Sequence, residues 1–302
     1  MSGDLDVDIQ DVGPRDGLQN EPVSVSTGNK IAFIDKLVAA GARRLEVASF
    51  VNPKRVPRMA DAEAVIDGLT SRAGVLYSGL VLNQRGLGRA KASGLPEIGV
   101  VAMATDGFGL KNQGQTAAQS VAMAQAVTRE AKAEGIRVVA ILSASFGCPF
   151  EGVVDPGQVA ASVAALAAAG PDEITLADTI GAAAPGPVAD LVKRAEQAAG
   201  GVPLRCHFHN TRGAGLANVY AALEQGVRRF DASLGGIGGC PFAPRATGNI
   251  ATEDLAHMLE ASGLRTGFDI DALIATTEWL ETVLGRATPA LTPKAGRFPP
   301  KT

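Results

Sequence analysis

A closed parallel α/β barrel, the (β/α)8 TIM barrel with a short C-terminal helical extension, is the fold that the sequence predicts, on three observations. Eight apolar, strand-like runs recur along the 302 residues. Most of them are followed by an amphipathic or Ala-rich helical stretch. Ionisable residues follow strand upon strand instead of gathering at one place, as expected where every strand ends at one rim. An open doubly wound sheet shares the βα rhythm, but it gathers its ligand groups at one switch point. The Gly-x-Gly-x-x-Gly turn of a dinucleotide-binding sheet is also missing after the first strand.

In chain order, the strand-like runs fall near residues 6–12, 43–49, 75–81, 97–103, 137–143, 172–177, 204–209 and 229–234. Helical patterns lie between them at about 27–40, 60–70, 84–93, 116–134, 156–169, 186–199, 213–225 and 252–262. Gly41, Gly94, Gly135, Gly170 and Gly226 stand where five of these should stop, since glycine takes the left-handed conformation that ends a helix without a Cβ penalty. Residues 1–265 thus read as one catalytic barrel domain, and 266–302 as a helix and tail packed on it. The helix covers 269–284, and the tail, 287–302, carries four prolines and several positive charges. Such a tail is either mobile or docked on a partner subunit.

A hydrophobic content of 46% with only 4% aromatic residues suits tightly packed helices around a parallel sheet. The net charge of −3, with signs interspersed, argues against a nucleic-acid binder or a polybasic membrane anchor and for small-molecule partners. The N-terminus is acidic, with no basic segment ahead of an apolar one, so the sequence predicts a cytoplasmic protein without a secretory signal or membrane span. Cys148, Cys206 and Cys240 are too few and too far apart for a disulfide framework or a zinc knuckle.

The segment Leu204-Arg205-Cys206-His207-Phe208-His209-Asn210 holds two of the three histidines. Side chains alternate along a strand, so His207 and His209 face the same way, roughly 7 Å apart, close enough to share a metal ion. Asp16, in the turn after the first strand, and Asn249, after the eighth, would add a carboxylate and an amide oxygen. That mixed set suits octahedral Mg²⁺ or Mn²⁺ with places left for substrate or water. Asp16 serves equally well as a turn aspartate beside Gly17, and Asn249 as a loop residue ahead of a helix capped by Thr252.

Arg15 would place a fixed cation where an oxyanion develops, unless it is a surface arginine. Glu46 and Asp178 are acids within apolar strands, where an unpaired carboxylate is costly, so both read as site-lining. Cys240 follows a run with four glycines, Gly235-Gly236-Ile237-Gly238-Gly239, that permits a loop able to swing over the barrel mouth. A phosphate cradle is the other reading of that run, but it lacks the Gly-Lys-Ser/Thr ending. Cys148 and Cys206 read as structural, and His257 as a helix residue without a role.

Together these stretches resemble the 3-hydroxy-3-methylglutaryl-CoA lyase family, within the wider group of divalent-metal TIM-barrel lyases and Claisen-type synthases. The resemblance spans residues 12–267 and rests on Val12-Gly13-Pro14-Arg15-Asp16-Gly17-Leu18-Gln19-Asn20-Glu21, Leu45-Glu46-Val47-Ala48-Ser49-Phe50-Val51 and Gly147-Cys148-Pro149-Phe150-Glu151-Gly152. Ala177-Asp178-Thr179-Ile180-Gly181, the histidine strand, Gly238-Gly239-Cys240-Pro241-Phe242 and Gly248-Asn249-Ile250-Ala251-Thr252-Glu253-Asp254 complete it. It implies that Asp16, His207, His209 and Asn249 bind the cation and that Arg15 stabilises an enolate. It implies further that Cys240 is a catalytic thiol, that His207 shares in proton transfer, and that Glu46, Asp178 and Glu253 support them. Arg15, Asn20 and Glu253 are the implied contacts to an acyl-CoA substrate. The implied reaction is retro-Claisen cleavage of 3-hydroxy-3-methylglutaryl-CoA, or a close relative such as a citramalyl thioester, to acetyl-CoA and a keto acid such as acetoacetate.

Two departures bear on substrate. Where the family has an aspartate followed by Thr-Tyr-Gly, this chain reads Asn210-Thr211-Arg212-Gly213, and after the fourth strand it reads Thr105-Asp106-Gly107-Phe108 without the family's Ser/Ala-Glu pattern. Asn210 lacks the charge that would polarise a neighbouring ligand, and Arg212 either adds a cation at the mouth or faces solvent. A condensing synthase or aldolase of the same barrel group is the rival enzyme, and a barrel without catalysis the rival class. A homodimer is the expected assembly.

Overall fold

Eight parallel strands, β1 (Asp8–Asp11), β2 (Arg44–Ser49), β3 (Leu76–Val81), β4 (Glu97–Met103), β5 (Arg137–Ser143), β6 (Glu173–Asp178), β7 (Leu204–Phe208) and β8 (Arg229–Ala232), pair in sequence order. The ring closes between β1 and β8, with Asp8 opposite Arg229 and Asp11 opposite Ala232. The computed structural model describes residues 5–239 and 248–300. Strands that are covered by helices outside and by side chains within must be buried on both faces, and this is why β2, β4 and β6 read as unbroken buried runs.

The helices α1 (Thr27–Ala39), α2 (Ala62–Asp67), α3 (Gln84–Ala92), α4 (Asp106–Asn112), α5 (Ala117–Ala133), α6 (Pro156–Ala167), α7 (Pro185–Ala199), α8 (Gly215–Glu224), α9 (Thr252–Ala261), α10 (Ile270–Leu284) and α11 (Thr292–Ala295) surround the strands. The predicted strands and helices are matched to within a few residues. The largest shortfall is α2, which starts only after a 3-10 turn, Pro57–Met59. The sequence reading had no counterpart of α4. It is seven residues long, two of them glycine, and is started by the Thr105 hydroxyl accepting from the Phe108 N–H at 3.4 Å.

The first residues of the tail are held down. Asp254 accepts from the Leu291 and Thr292 N–H groups, the latter at 2.6 Å, Glu281 accepts from Thr288, and the Ala290 N–H reaches the Gly235 carbonyl. Residues 288–292 therefore lie against α9, α10 and the turn after β8.

Inside the barrel, at the N-terminal ends of the strands, the filling is ionic. Arg44 bridges Asp8 at 2.8 Å, Glu97 at 2.8 Å and Glu173 at 2.6 Å. Arg205, with no exposed surface, bridges Asp8 at 2.6 Å, Glu173 at 2.9 Å and Asp231 at 3.2 Å, and donates to the Phe230 carbonyl at 2.8 Å. Each buried cation thus meets three carboxylates, the condition under which burial of charge is tolerated.

Removing Arg205 leaves Asp8 and Glu173 sharing Arg44 and leaves Asp231 with His207, an excess of buried negative charge that costs about 3–5 kcal/mol. Arg205→Met, which keeps much of the volume, is expected to lower unfolding free energy by about that amount in urea denaturation. An unchanged midpoint would show that the layer does not support the fold.

Candidate metal centre

Alternation along β7 turns Arg205, His207 and His209 inward and Cys206 and Phe208 outward, onto the helix layer. The two imidazoles stand with ring centroids 5.2 Å apart. Asp16 comes to them from the end of β1, two strands round the ring, by a single π turn, Gly13–Gly17, in which the Val12 carbonyl accepts from the Arg15, Asp16 and Gly17 N–H groups. Gly17 is required there: a Cβ would stand 2.7 Å from Ile237 and 2.8 Å from the Ser233 hydroxyl. Asp16, His207 and His209 each offer a ligand atom, all within 4.8 Å of one another.

Asn249 completes the group through a bridge pairing with His209. Its amide donates to Asp16 at 2.9 Å and to the Ile237 carbonyl at 3.1 Å, leaving its oxygen free to accept. That Oδ1 and the His209 Nδ1 are buried with no partner among the described residues. An orphaned buried polar atom costs about 1–3 kcal/mol, so oxygen and nitrogen donors without partners beside a carboxylate fit a cation of the Mg²⁺ or Mn²⁺ kind.

The protonation states agree with that fit. Burial would raise the Asp16 carboxyl, but Arg15, both histidines and the Asn249 amide outweigh it and hold it at about 2. Burial lowers His209, and the neighbouring His207 lowers it further, to about 4, so the ring is neutral at physiological pH. Burial also opposes charge on His207, but a hydrogen bond and the negative charge of Asp231 raise it above the ordinary imidazole value.

Arg15 lies between Asp16, at 2.7 Å, and Glu46, with which it makes a very short contact. Glu46 is 2% exposed and is pushed up to about 7, first by burial and then by the Asp16 and Asp231 carboxylates, with Arg15 pulling the other way. These groups line one end of a cavity of about 620 Å³ whose wall also includes Asn20, Arg55 and Lys111. Asn20 donates to the Gly239 carbonyl at 2.6 Å. Cys240, the next residue, lies outside the described residues.

Two predicted site residues are not brought to the cavity. Asp178 sits opposite Phe208, on the outward face of the barrel, while its neighbours Ala177 and Thr179 line the cavity. Its carboxylate accepts from the Ala182 and Ala183 N–H groups at 2.8 and 3.1 Å, shaping the turn before α7. Glu253, fully buried in the first turn of α9, accepts from the Gly235 N–H at 3.0 Å and the Thr277 hydroxyl at 2.7 Å. It braces the glycine turn after β8 and does not reach the cavity. Cys148 and Cys206 are free and buried, as expected for structural thiols.

Sequence reading missed Asp231 and Asp11. Asp231, in register with His207 across β7 and β8, holds the His207 Nδ1 at 3.2 Å. The signal that picked out Glu46, an acid inside an apolar strand, is also present at Asp231. Asp11 faces outward with no exposed surface, accepting from the Gly13 N–H at 2.8 Å, the Leu234 N–H at 3.0 Å and the Thr252 hydroxyl at 2.7 Å. Burial raises it to about 6, against the pull of those donors. It joins the turn that carries Asp16 to the segment that carries Asn249. The Asn210 side chain accepts from the Gly215 N–H at 3.1 Å and has no hydrogen bond to either histidine among the described residues. Arg212 donates to the Ile180 and Gly181 carbonyls at 3.0 and 2.7 Å, tying down the loop after β6.

The family model described as HMGL-like matches residues 6–280. An (R)-citramalyl-CoA lyase of Chloroflexus aurantiacus is 43% identical over 98% of this chain and 96% of that protein. A hydroxymethylglutaryl-CoA lyase of Bacillus subtilis is 40% identical over 94% of this chain and 95% of that protein. Among solved structures, an HMG-CoA lyase from Acinetobacter baumannii in complex with coenzyme A and 3-methylmalate superposes with a TM-score of 0.94 at 42% identity, covering 100% of this chain and 99% of that one.

Glu253 yields a pH prediction. Burial lifts its carboxyl from 4.5 to about 8, so the folded chain holds this proton more tightly than the unfolded one. The resulting stability is fully present below the ordinary carboxylate range and is lost as pH rises through about 8. The unfolding free energy of the wild type in urea should therefore fall across that interval by about 5 kcal/mol, a fall that Glu253→Gln does not show. Parallel pH profiles for the two proteins would contradict it.

Proposed function

The chain belongs to the HMGL-like family, that of the 3-hydroxy-3-methylglutaryl-CoA lyases, and is a carbon–carbon lyase; from this we propose that it cleaves a 3-hydroxy-3-substituted acyl-CoA by a retro-Claisen reaction. The observation that carries the proposal is the cluster of Asp16, His207 and His209 beside Arg15 at one end of the cavity. The first candidate substrate is 3-hydroxy-3-methylglutaryl-CoA, giving acetyl-CoA and acetoacetate. A citramalyl-type ester, giving acetyl-CoA and pyruvate, is favoured by the 43% identical relative named for that activity.

Held by Asp16, His207, His209 and Asn249, a divalent cation such as Mg²⁺ or Mn²⁺ would act as a Lewis acid on the substrate's hydroxyl oxygen. Arg15, fixed by Glu46 and Asp16, meets the negative charge that appears on the thioester oxygen only as the C–C bond breaks, so it binds the transition state better than the substrate. The hydroxyl proton must leave and the acetyl-CoA enolate carbon must gain one; Cys240 is the proposed carrier, and His207 can share in the transfer only while its Nε2 is not bound to the cation. Arg55 and Lys111, exposed and without an acidic partner among the described residues, offer charge to the phosphates of CoA. Asn210, which motivated the reading without catalysis, leaves the cluster intact.

No helix among the described residues is long and apolar enough to cross a membrane. A cytoplasmic homodimer remains part of the proposal, and light scattering checks the assembly.

With Mn²⁺ or Mg²⁺ and a thiol reductant, the protein should release acetyl-CoA from one of the two esters, and the accompanying keto acid identifies which. No cleavage of either ester by metal-loaded protein would reject the proposal. Arg15→Ala should lower kcat by roughly 10²- to 10³-fold, and Cys240→Ser should abolish turnover. Calorimetric titration with Mn²⁺ should show binding to the wild type, weakened in Asp16→Ala by more than the roughly 10–100-fold typical of losing an outer partner. Arg55→Ala should raise KM several-fold for the CoA ester but not for the same acyl group on pantetheine, which has no nucleotide phosphates.

A further inference from the structure

The two imidazoles of the cluster are held differently. His207 has its Nδ1 at 3.2 Å from Asp231 Oδ2, whereas the Nδ1 of His209 has no partner among the described residues. Asp231 is itself fixed: its Oδ1 is 3.2 Å from Arg205 Nη1, and that guanidinium is anchored on Glu173, Asp8 and the Phe230 carbonyl. The strands fix the approach, because His207 and Asp231 are paired residues of adjacent parallel strands. Asp231 is 6% exposed and lines the cavity without belonging to the three-residue cluster.

We propose that Asp231 is the positioning residue for His207, fixing the imidazole as the Nδ1–H tautomer with the Nε2 lone pair free for the cavity. A carboxylate can only accept, so the neutral ring must donate from Nδ1. A ligating histidine is oriented and made more basic by such a partner, and losing the partner typically weakens metal affinity 10–100-fold. The inference rests on the reading of His207 as a cation ligand for one of its measurements only.

Asparagine at position 231 makes the idea sharp. It has one acceptor oxygen where aspartate has two, and Arg205 presents only donors. The amide oxygen is drawn to Arg205, and the NH₂ group then faces the His207 Nδ1. This reverses the tautomer and places a proton on Nε2.

The test begins with the wild-type full-length chain, freed of metal by chelation and kept at alkaline pH so that the rings are neutral. Long-range ¹H–¹⁵N spectra distinguish the two tautomers, and with three histidines in the chain the His207 signal is assigned by its loss in His207→Gln. An Nδ1–H pattern supports the proposal; an Nε2–H pattern overturns it, whether or not any variant folds and whatever the substrate is. In Asp231→Asn the pattern should reverse, Mn²⁺ affinity should fall at least tenfold, and kcat should drop with little change in KM. Asp231→Glu should restore the tautomer and part of the affinity. A variant Asp231→Asn that keeps the wild-type tautomer and Mn²⁺ affinity would also overturn the assignment. Failure of both esters to react would count against the lyase reading and leave the tautomer result standing.

Discussion

Arg205 is the contact on which the rest of the barrel depends. Its guanidinium joins Asp8 on β1, Glu173 on β6 and Asp231 on β8 from a position on β7, so four of the eight strands are tied through one planar group. Arg44 adds β2 and β4 to the same layer. An aliphatic filling would give comparable or greater stability, since buried ion pairs roughly break even against well-packed apolar groups. What charge adds is direction. Each donor must meet its acceptor, so strand register at this end is specified more sharply than apolar packing alone would specify it.

The site is built in layers above that floor. Asp231 belongs both to the ionic layer and to the His207 pairing, Glu46 and Asp16 hold Arg15, and Asn249 holds Asp16. Opposing influences set the protonation of neighbours. His209 is driven neutral while Asp16 is kept ionised, a combination that a hard or borderline cation requires of its ligands. The acids that shape the surrounding backbone, Asp11, Asp178 and Glu253, face away from the cavity and satisfy backbone N–H groups of the turns around it.

The barrel was legible because its signals are local. Each strand is an apolar run, and each helix has a periodic pattern with a stop. α4 was not legible, since a seven-residue helix with two glycines has little propensity and is held by its cap and by packing on β4 and α5. Within the site, Arg15, Asp16, Glu46, His207, His209 and Asn249 were all identified from residue type and place in the βα rhythm, and the structure brings them together. Asp178 and Asp231 show where that reasoning stops. Both are acids in buried strands, and only the register against β7 separates the one that faces the helices from the one that faces the histidines. Register is a property of paired strands, and no single segment contains it.

The distance along the chain between Asp16 and Asn249, 233 residues closed by one hydrogen bond, bears on how the protein comes to be active during synthesis. Asp16 emerges from the ribosome with the first strand and Asn249 only after the eighth. Until the ring shuts, Asp11 has neither Leu234 nor Thr252 to receive, and the turn carrying Asp16 has nothing to lean on. A partly made chain therefore carries scattered polar residues and no centre. Such dependence on contacts between distant segments slows folding, and it also means that reactive chemistry is switched on only in molecules whose barrel is complete.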